Sequence, residues 1–65
     1  MTILETLQRA ARKSERVRLR LAGEELLGRP CVIVEKRVVL LAVGNAKVPT
    51  RALFIAAIEH CEVIR

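Results

Sequence analysis

The chain has 65 residues, of which 52% are apolar and one is aromatic, and its formal charge is +5. That length allows one domain with a marginal core, because so short a chain buries only about 60% of the surface that it exposes when unfolded. The longest apolar runs, Val38–Val43 and Leu53–Ile58, are too short to cross a bilayer, so no membrane partner is expected. The aliphatic surplus indicates that self-association covers part of the apolar surface.

The N-terminal segment predicts an amphipathic helix over residues 3–13. Thr2 and Glu5 stand three residues apart, the spacing of a capping box. Apolar residues then recur at helical spacing, whereas Arg9, Arg12 and Lys13 lie on another side. A helix this short is marginal in isolation, so we expect its apolar side to dock on a sheet.

The next segment predicts a half-buried strand over residues 16–21, because Arg and aliphatic residues alternate there. Gly23 can supply the positive φ of a tight turn. A second strand follows over residues 25–34. It contains Pro30, which cannot donate to a ladder and therefore requires an edge, a bulge or a sharp bend. A long bent strand of this kind is one way in which a small sheet curls towards a barrel.

Glu35 and Lys36 predict the next turn, and residues 37–43 a third strand. A turn at Gly44 and a short fourth strand over residues 46–48 are expected to follow. Residues 50–65 allow two interpretations. Their periodicity favours a helix, whereas Leu53–Ile58 also suits an apolar strand over residues 53–59 that is buried on both sides.

The residues that commonly perform chemistry do not form a recognisable site. His60 is the single histidine and stands between acids, while Cys31 and Cys61 match no metal spacing and no CxxC motif. No catalytic set or phosphate-binding glycine motif is present. We therefore expect a protein that is not an enzyme and that has no metal or cofactor. Since no secretory signal is seen, a reduced, cytoplasmic location is expected.

Basic residues provide the strongest functional signal. Six of them and a single acid lie between Arg9 and Arg20, a density that favours a polyanion such as nucleic acid, although a solvated face would show the same excess. The groups are Arg9, Arg12, Lys13 and Arg16; Lys36 and Arg37; and Lys47 and Arg51. With so few aromatics, base stacking would have to use Arg or aliphatic side chains.

The order of these features resembles the Sm-like family, and within it the bacterial Hfq branch. Gly23-Glu-Glu-Leu-Leu-Gly28 matches the Gly-x-x-Leu-x-Gly of the first Sm motif, and Val48–Leu53 resembles the segment that carries the second. Arg12–Arg16 resembles the basic rim at the end of the Hfq helix. The Lys-His pair of Hfq appears here as Thr50-Arg51, and Arg37 stands near the position of a stacking aromatic.

This resemblance implies a mainly β fold: an N-terminal helix, then a strongly bent five-stranded antiparallel small barrel of the Sm-like and SH3-like kind. It decides in favour of a strand over residues 53–59. It also implies a homo-oligomeric ring of roughly five to eight copies by family analogy. Single-stranded RNA would contact the pore-side residues Lys36, Arg37, Thr50 and Arg51 and the rim residues Arg9, Arg12, Lys13 and Arg16.

The sequence thus predicts a non-catalytic, ring-forming RNA-binding protein whose binding is mainly electrostatic and depends steeply on salt. The alternative is a structural or protein-interaction oligomer that binds no nucleic acid, in which the basic face serves only solubility.

Overall fold

One helix precedes five antiparallel strands in the computed structural model, which describes residues 2–64. The elements are α1 (Ile3–Lys13), β1 (Arg16–Leu21), β2 (Glu24–Val34), β3 (Val38–Val43), β4 (Arg51–Phe54) and β5 (His60–Ile64). The strands form one sheet in the order β4-β3-β2-β1-β5, so β4 and β5 are its edges. The mainly β architecture with an N-terminal helix and five strands is the one that the sequence predicts.

The helix α1 has the predicted bounds and the predicted capping box. The Glu5 N–H donates to the Thr2 hydroxyl at 3.1 Å, and the Thr2 N–H donates to the Glu5 carboxylate at 3.2 Å. Hydrogen bonds from Thr2, first from its backbone N–H and then from its hydroxyl, lower the pKa of Glu5. Leu7 and Ala10 are buried beneath the helix, whereas its last-turn cations are exposed, so the apolar side faces the sheet as expected.

The core lies between α1 and the inner face of the sheet. In β1 the residues alternate as predicted, with Val17 and Leu19 fully buried and the arginines exposed. The core cluster consists of Leu7, Ala10, Val17, Leu19, Leu26, Val39, Leu41, Leu53 and Ile58. Each fully buried Val or Leu contributes about 1.5–3 kcal/mol, and no charged residue lies among them.

Strand β2 bends and changes partners. Because an extended residue advances about 3.3 Å, its 11 residues would be about 33 Å long if straight, whereas the largest principal extent of the molecule is 24 Å. Its first half pairs with β1 as far as Gly28, and the rest pairs with β3. The register shifts between Pro30 and Val32, which confirms the predicted irregularity at Pro30. Pro30 pairs only with β3, because the β1–β2 ladder ends at Gly28. The N–H that proline lacks is therefore not needed for pairing with β1.

The bend depends on a close approach of β2 and β3, and Gly28 allows that approach. A Cβ atom at residue 28 would lie 2.6 Å from the Ala42 carbonyl oxygen and 3.1 Å from the Leu41 side chain. Moving backbone atoms of a paired strand costs free energy, so any other residue at position 28 would push β3 away from β2.

The β2–β3 turn is made by the predicted residues. Glu35 and Lys36 have φ values of 51° and 58°, and the Arg37 N–H donates to the Val34 carbonyl oxygen at 2.9 Å. Two consecutive left-handed residues are typical of type I′ turns, which normally use Asn or Gly, because residues with a Cβ are strained there. The Glu-Lys turn therefore has a conformational cost that an Asn-Gly turn would avoid.

The predicted fourth strand over residues 46–48 is wrong. These residues belong to the loop between β3 and β4, and the fourth strand begins only at Arg51. Thr50 closes this loop: its N–H donates to the Leu41 carbonyl oxygen at 2.9 Å, and its hydroxyl accepts from the Val43 N–H at 3.1 Å. Pro49, which has no N–H to offer a ladder, precedes this closure.

The predicted final strand over residues 53–59 is also wrong, as is the alternative helix. The apolar run is divided among the end of β4, a 3-10 turn over Ile55–Ala57, and the segment that leads to β5. The Ile58 N–H donates to the Ile55 carbonyl oxygen at 3.1 Å within that turn. The apolar run cannot be one strand, because its first part belongs to β4, which pairs with β3. The chain must then reach the opposite edge of the sheet, where β5 pairs with β1.

This connection shows how far the sheet curls. In a flat sheet, edges four strand spacings apart would be separated by about 19 Å. The path from Phe54 to His60, with three residues in a 3-10 turn, spans only about 16 Å. The two edge strands therefore approach each other, and the principal extents of 24, 23 and 22 Å are nearly equal. The fold is β-barrel-like.

The helix in the described part of the chain is too short to span a membrane. Cys31 and Cys61 are both half-buried free thiols.

Candidate nucleic-acid interface

The β2–β3 turn lies against the end of β4. Phe54 is the ladder partner of Val38, and the Ile55 N–H donates to the Arg37 carbonyl oxygen at 2.8 Å. A surface concavity of about 460 Å³ is shared by Lys36, Arg37, Phe54, Ile55 and Ala56. We call these five residues the Phe54 surface.

Phe54 is the sole aromatic residue of the chain, and 70% of its surface is exposed. The sequence prediction missed it, because it placed Phe54 in a strand buried on both sides. In the observed β4 the side chains alternate, so Leu53 is 6% exposed and packs in the core while Phe54 points outward. No local pattern reveals this, because Phe54 shares a strand face with Ala52 and Leu53 shares one with Arg51, so polar–apolar alternation would bury Phe54.

The Phe54 surface combines an aromatic ring with two cations. Aromatic rings stack nucleobases without regard to sequence, and neighbouring Lys or Arg side chains pair with phosphates. Within residues 2–64, neither Lys36 nor Arg37 forms an ion pair with an acid. Both cations are exposed at the turn and are therefore available to an anionic partner.

Thr50 and Arg51 lie at the other end of β4. Arg51 pairs with Leu41 in the ladder, three residues from the pairing of Phe54, which is a distance of about 10 Å along the strand. The Arg51 guanidinium contacts the Glu24 carboxylate at 2.5 Å, and the Thr50 hydroxyl bonds to the backbone of β3. One chain therefore does not bring the four predicted pore-side residues together.

The predicted rim residues also separate. Arg9 is half-buried on α1, and Lys13 is exposed in its last turn. Arg12 lines a groove of about 490 Å³ with Gln8, Ala11 and Ile33. Arg16 instead turns towards the β3–β4 loop, where its guanidinium donates to the Asn45 side-chain oxygen at 3.4 Å.

Other cations are neutralised by nearby acids. Arg18 lies 3.1 Å from a Glu62 oxygen and 3.6 Å from a Glu25 oxygen on the outer face of the sheet. These partners come from the strands on either side, β5 and β2. Arg18 is therefore less available to an external anion than the turn cations.

His60 and the cysteines do not form a reactive site. The His60 ring is exposed and lies 4.0 Å from the Glu62 carboxylate. Burial and, to a smaller extent, the Glu62 charge together raise the pKa of the Cys61 thiol to about 11, so the reactive thiolate is disfavoured. Within residues 2–64, no group of three His, Cys, Asp or Glu side chains is placed to hold a metal ion.

No family model, no curated protein and no solved structure matches the chain.

Proposed function

We propose that the protein binds single-stranded RNA through the Phe54 surface and acts without catalysis as a homo-oligomer of the Sm-like kind. The exposure of Phe54 beside Lys36 and Arg37 carries this proposal. A large exposed apolar ring costs solvation free energy, and two unpaired cations next to it attract an anion. A nucleotide would cover the exposed ring and also neutralise a cation, because its base stacks on the ring and its phosphate pairs with the cation.

The conformation of Lys36 supports the same surface. A left-handed φ costs a residue with a Cβ about 1–2 kcal/mol, and glycine would relieve that cost. Residues held in this strained backbone conformation cluster at functional sites. Lys36 supplies a charge at the tip of the turn that the turn itself does not need.

Self-association is supported by the strand edges and by exposed aliphatic residues. Both β4 and β5 lack a partner on one side, and an open edge invites pairing with another chain. Among residues 2–64, the exposed large apolar residues are Leu27, Val32, Val34, Val48 and Phe54. In the proposed ring, β4 of one copy pairs with β5 of the next, and the turn cations recur around the axis with Thr50 and Arg51.

The rim of the ring would provide a second, weaker contact. Arg12 and Lys13 are exposed at the end of α1, and together with Arg9 and Arg16 they would contact RNA phosphates without reading bases. Exchanging Arg12 and Arg16 for alanine is therefore expected to weaken RNA binding at low salt.

Fluorescence anisotropy with a labelled short single-stranded RNA tests the principal surface. Phe54→Ala should reduce affinity by a factor of about 5–150, the value of one stacked base. The matched control is Val48→Ala, which removes another exposed apolar side chain from a loop outside the Phe54 surface. Equal affinities of Phe54→Ala and the unmodified protein would contradict the proposal.

Native mass spectrometry of the same samples tests the assembly. A discrete ring of several copies, retained in Phe54→Ala, would separate a stacking defect from an assembly defect. A monomer would contradict the ring. A ring that retains no RNA at about 50 mM salt would favour the structural or protein-interaction oligomer.

A further inference from the structure

A second basic site lies where β1, β2 and the β3–β4 loop meet. A recess of about 230 Å³ is lined by Arg16, Arg29, Gly44, Asn45, Ala46 and Lys47. We call it the Arg29 recess. Three of its six lining residues are cations and none is an acid. It shares only Arg16 with the residues that the sequence predicts to bind RNA.

Two of these cations lie just beyond the end of the β1–β2 ladder. Val17 pairs with Gly28 in the β1–β2 ladder, so the next pair of positions outward is Arg16 and Arg29. Like charges that line one recess repel each other. No acid within residues 2–64 forms an ion pair with Arg16, Arg29 or Lys47. An anion in the recess would relieve this repulsion.

The loop completes the site with polar groups. The Gly44 N–H donates to the Leu27 carbonyl oxygen at 2.9 Å, which holds the loop against β2. Gly44 has a φ of 64°, which glycine adopts without the strain that a Cβ would add. Asn45 accepts from Arg16 through its side-chain oxygen, and its amide NH₂ group remains as a further donor.

We propose that the Arg29 recess binds a single phosphate monoester or inorganic phosphate dianion. Three cations exceed the charge of one phosphodiester, whereas a monoester carries about two negative charges and three terminal oxygens. Arginine guanidinium groups bind such oxygens in pairs of hydrogen bonds, and lysine adds a point charge. This inference goes beyond the proposed function, because the recess requires neither the Phe54 surface nor a ring.

NMR titration of the ¹⁵N-labelled full chain with inorganic phosphate at low salt tests the site. We expect saturable shifts of the amides of residues 44–46. Arg29→Gln and Lys47→Gln should each weaken phosphate binding by roughly tenfold, the effect of losing one charged hydrogen bond. Lys47 is exposed in a loop, so its variant tests the site even if Arg29→Gln perturbs the strand.

Arg20→Gln is the matched control, since Arg20 is an exposed arginine of β1 that lies outside the recess. It should change phosphate affinity by less than about twofold, as expected for an exposed charge at a distance. The absence of saturable shifts, or an equal loss in Arg20→Gln and Lys47→Gln, would overturn the proposal.

Two oligonucleotides of one sequence, with a 5′-phosphate or a 5′-hydroxyl, identify the source of the phosphate. Displacement of inorganic phosphate by the phosphorylated strand alone would assign the recess to a terminal phosphate. Displacement by neither strand would assign it to free phosphate. Equal displacement by both would show ordinary backbone contact and refute a monoester site. Phosphate binding should survive Phe54→Ala, so failure of the RNA proposal and failure of this one are distinguishable.

Discussion

The arginines of this small sheet differ in what surrounds them. Arg18 and Arg51 contact carboxylates, whereas Arg29 and Arg37 form no ion pair within residues 2–64. All four are the same residue type, and both groups lie on or beside the sheet. The difference shows that the positions of the acids decide which cations remain available to a partner.

The order of residues along β2 matches this division. Its first half begins with Glu24 and Glu25, and these acids contact Arg51 and Arg18 respectively. Its second half, from Arg29 to Val34, contains no acid and leads to the turn that holds Lys36 and Arg37. One strand therefore has a neutralised end and a basic end. Four measurements test this division, beginning with the largest expected effect.

Gly28→Ala should have the largest effect on the fold. The added Cβ would lie 2.6 Å from the Ala42 carbonyl oxygen, so β2 and β3 would have to separate. We expect a loss of about 3 kcal/mol or more in the free energy of unfolding, as for overpacking against a backbone that cannot relax. Chemical denaturation measures it, with Gly23→Ala as a control in open space that has only the strain of its positive φ. Equal losses in the two variants would show that the close approach is unimportant.

Arg37→Gln and Arg18→Gln should separate binding from stability. Arg37→Gln is expected to weaken RNA binding roughly tenfold and to make the salt dependence shallower by about 0.7 in log–log slope, because one phosphate contact is lost. Arg18→Gln should leave RNA affinity nearly unchanged and lower stability by about 0.2–1 kcal/mol through its exposed ion pairs. Anisotropy over a range of salt concentrations, with denaturation, measures both. The same loss of RNA affinity in the two variants would contradict the division.

Lys36→Gly should raise stability while weakening binding. Glycine relieves the left-handed strain at φ 58°, so we expect a gain of about 1 kcal/mol after the entropic cost of glycine. Lys36→Ala is the control that removes the same charge but keeps the strain. If thermal unfolding shows no difference between the two variants, Lys36 is not strained in solution.

The smallest effect concerns Cys61 of β5, whose neighbour Glu62 contacts Arg18. Burial, followed by the Glu62 charge, raises the pKa of Cys61 to about 11 from an ordinary value of 9.0. The unfolded chain therefore releases this proton first, and the stability that Cys61 contributes falls as pH rises from 9 towards 11. The free energy of unfolding of Cys61→Ala should not show this fall between pH 9 and pH 11.

Thiolate absorbance in a Cys31→Ser background follows this titration directly, because the chain contains no tyrosine to interfere. Adding Arg18→Gln should raise the pKa of Cys61 further, since Glu62 then loses its cationic partner. An unchanged pKa would show that Arg18 does not neutralise Glu62 in solution.

Local patterns were sufficient for the first two thirds of the chain. The capping box of α1, the alternation in β1 and the turns at Gly23 and Glu35-Lys36 are all present, and the irregularity at Pro30 lies in β2 where expected. Each depends on neighbours within a few residues. Residue type directly determines the hydrogen bonds of the helix cap, the φ values of the turns and the side-chain alternation of β1.

The last third was predicted wrongly, because its structure depends on distant strands. Leu53–Ile58 looks like one apolar strand, yet β4 pairs with β3 and β5 pairs with β1. A short turn is needed to connect the two edges, and no local pattern reveals that need. The same error hid Phe54, whose exposure follows from the true ends of β4.

The amino-acid sequence by itself determined the helix, the alternation, the turns and the excess of positive charge, since all of these come from residue type and spacing. The tertiary structure alone decided which cations meet an acid, and it placed Phe54 beside Lys36 and Arg37. The physical reason is that ion pairs and shared surfaces depend on distances across strands, and the bend of β2 at Gly28 sets those distances.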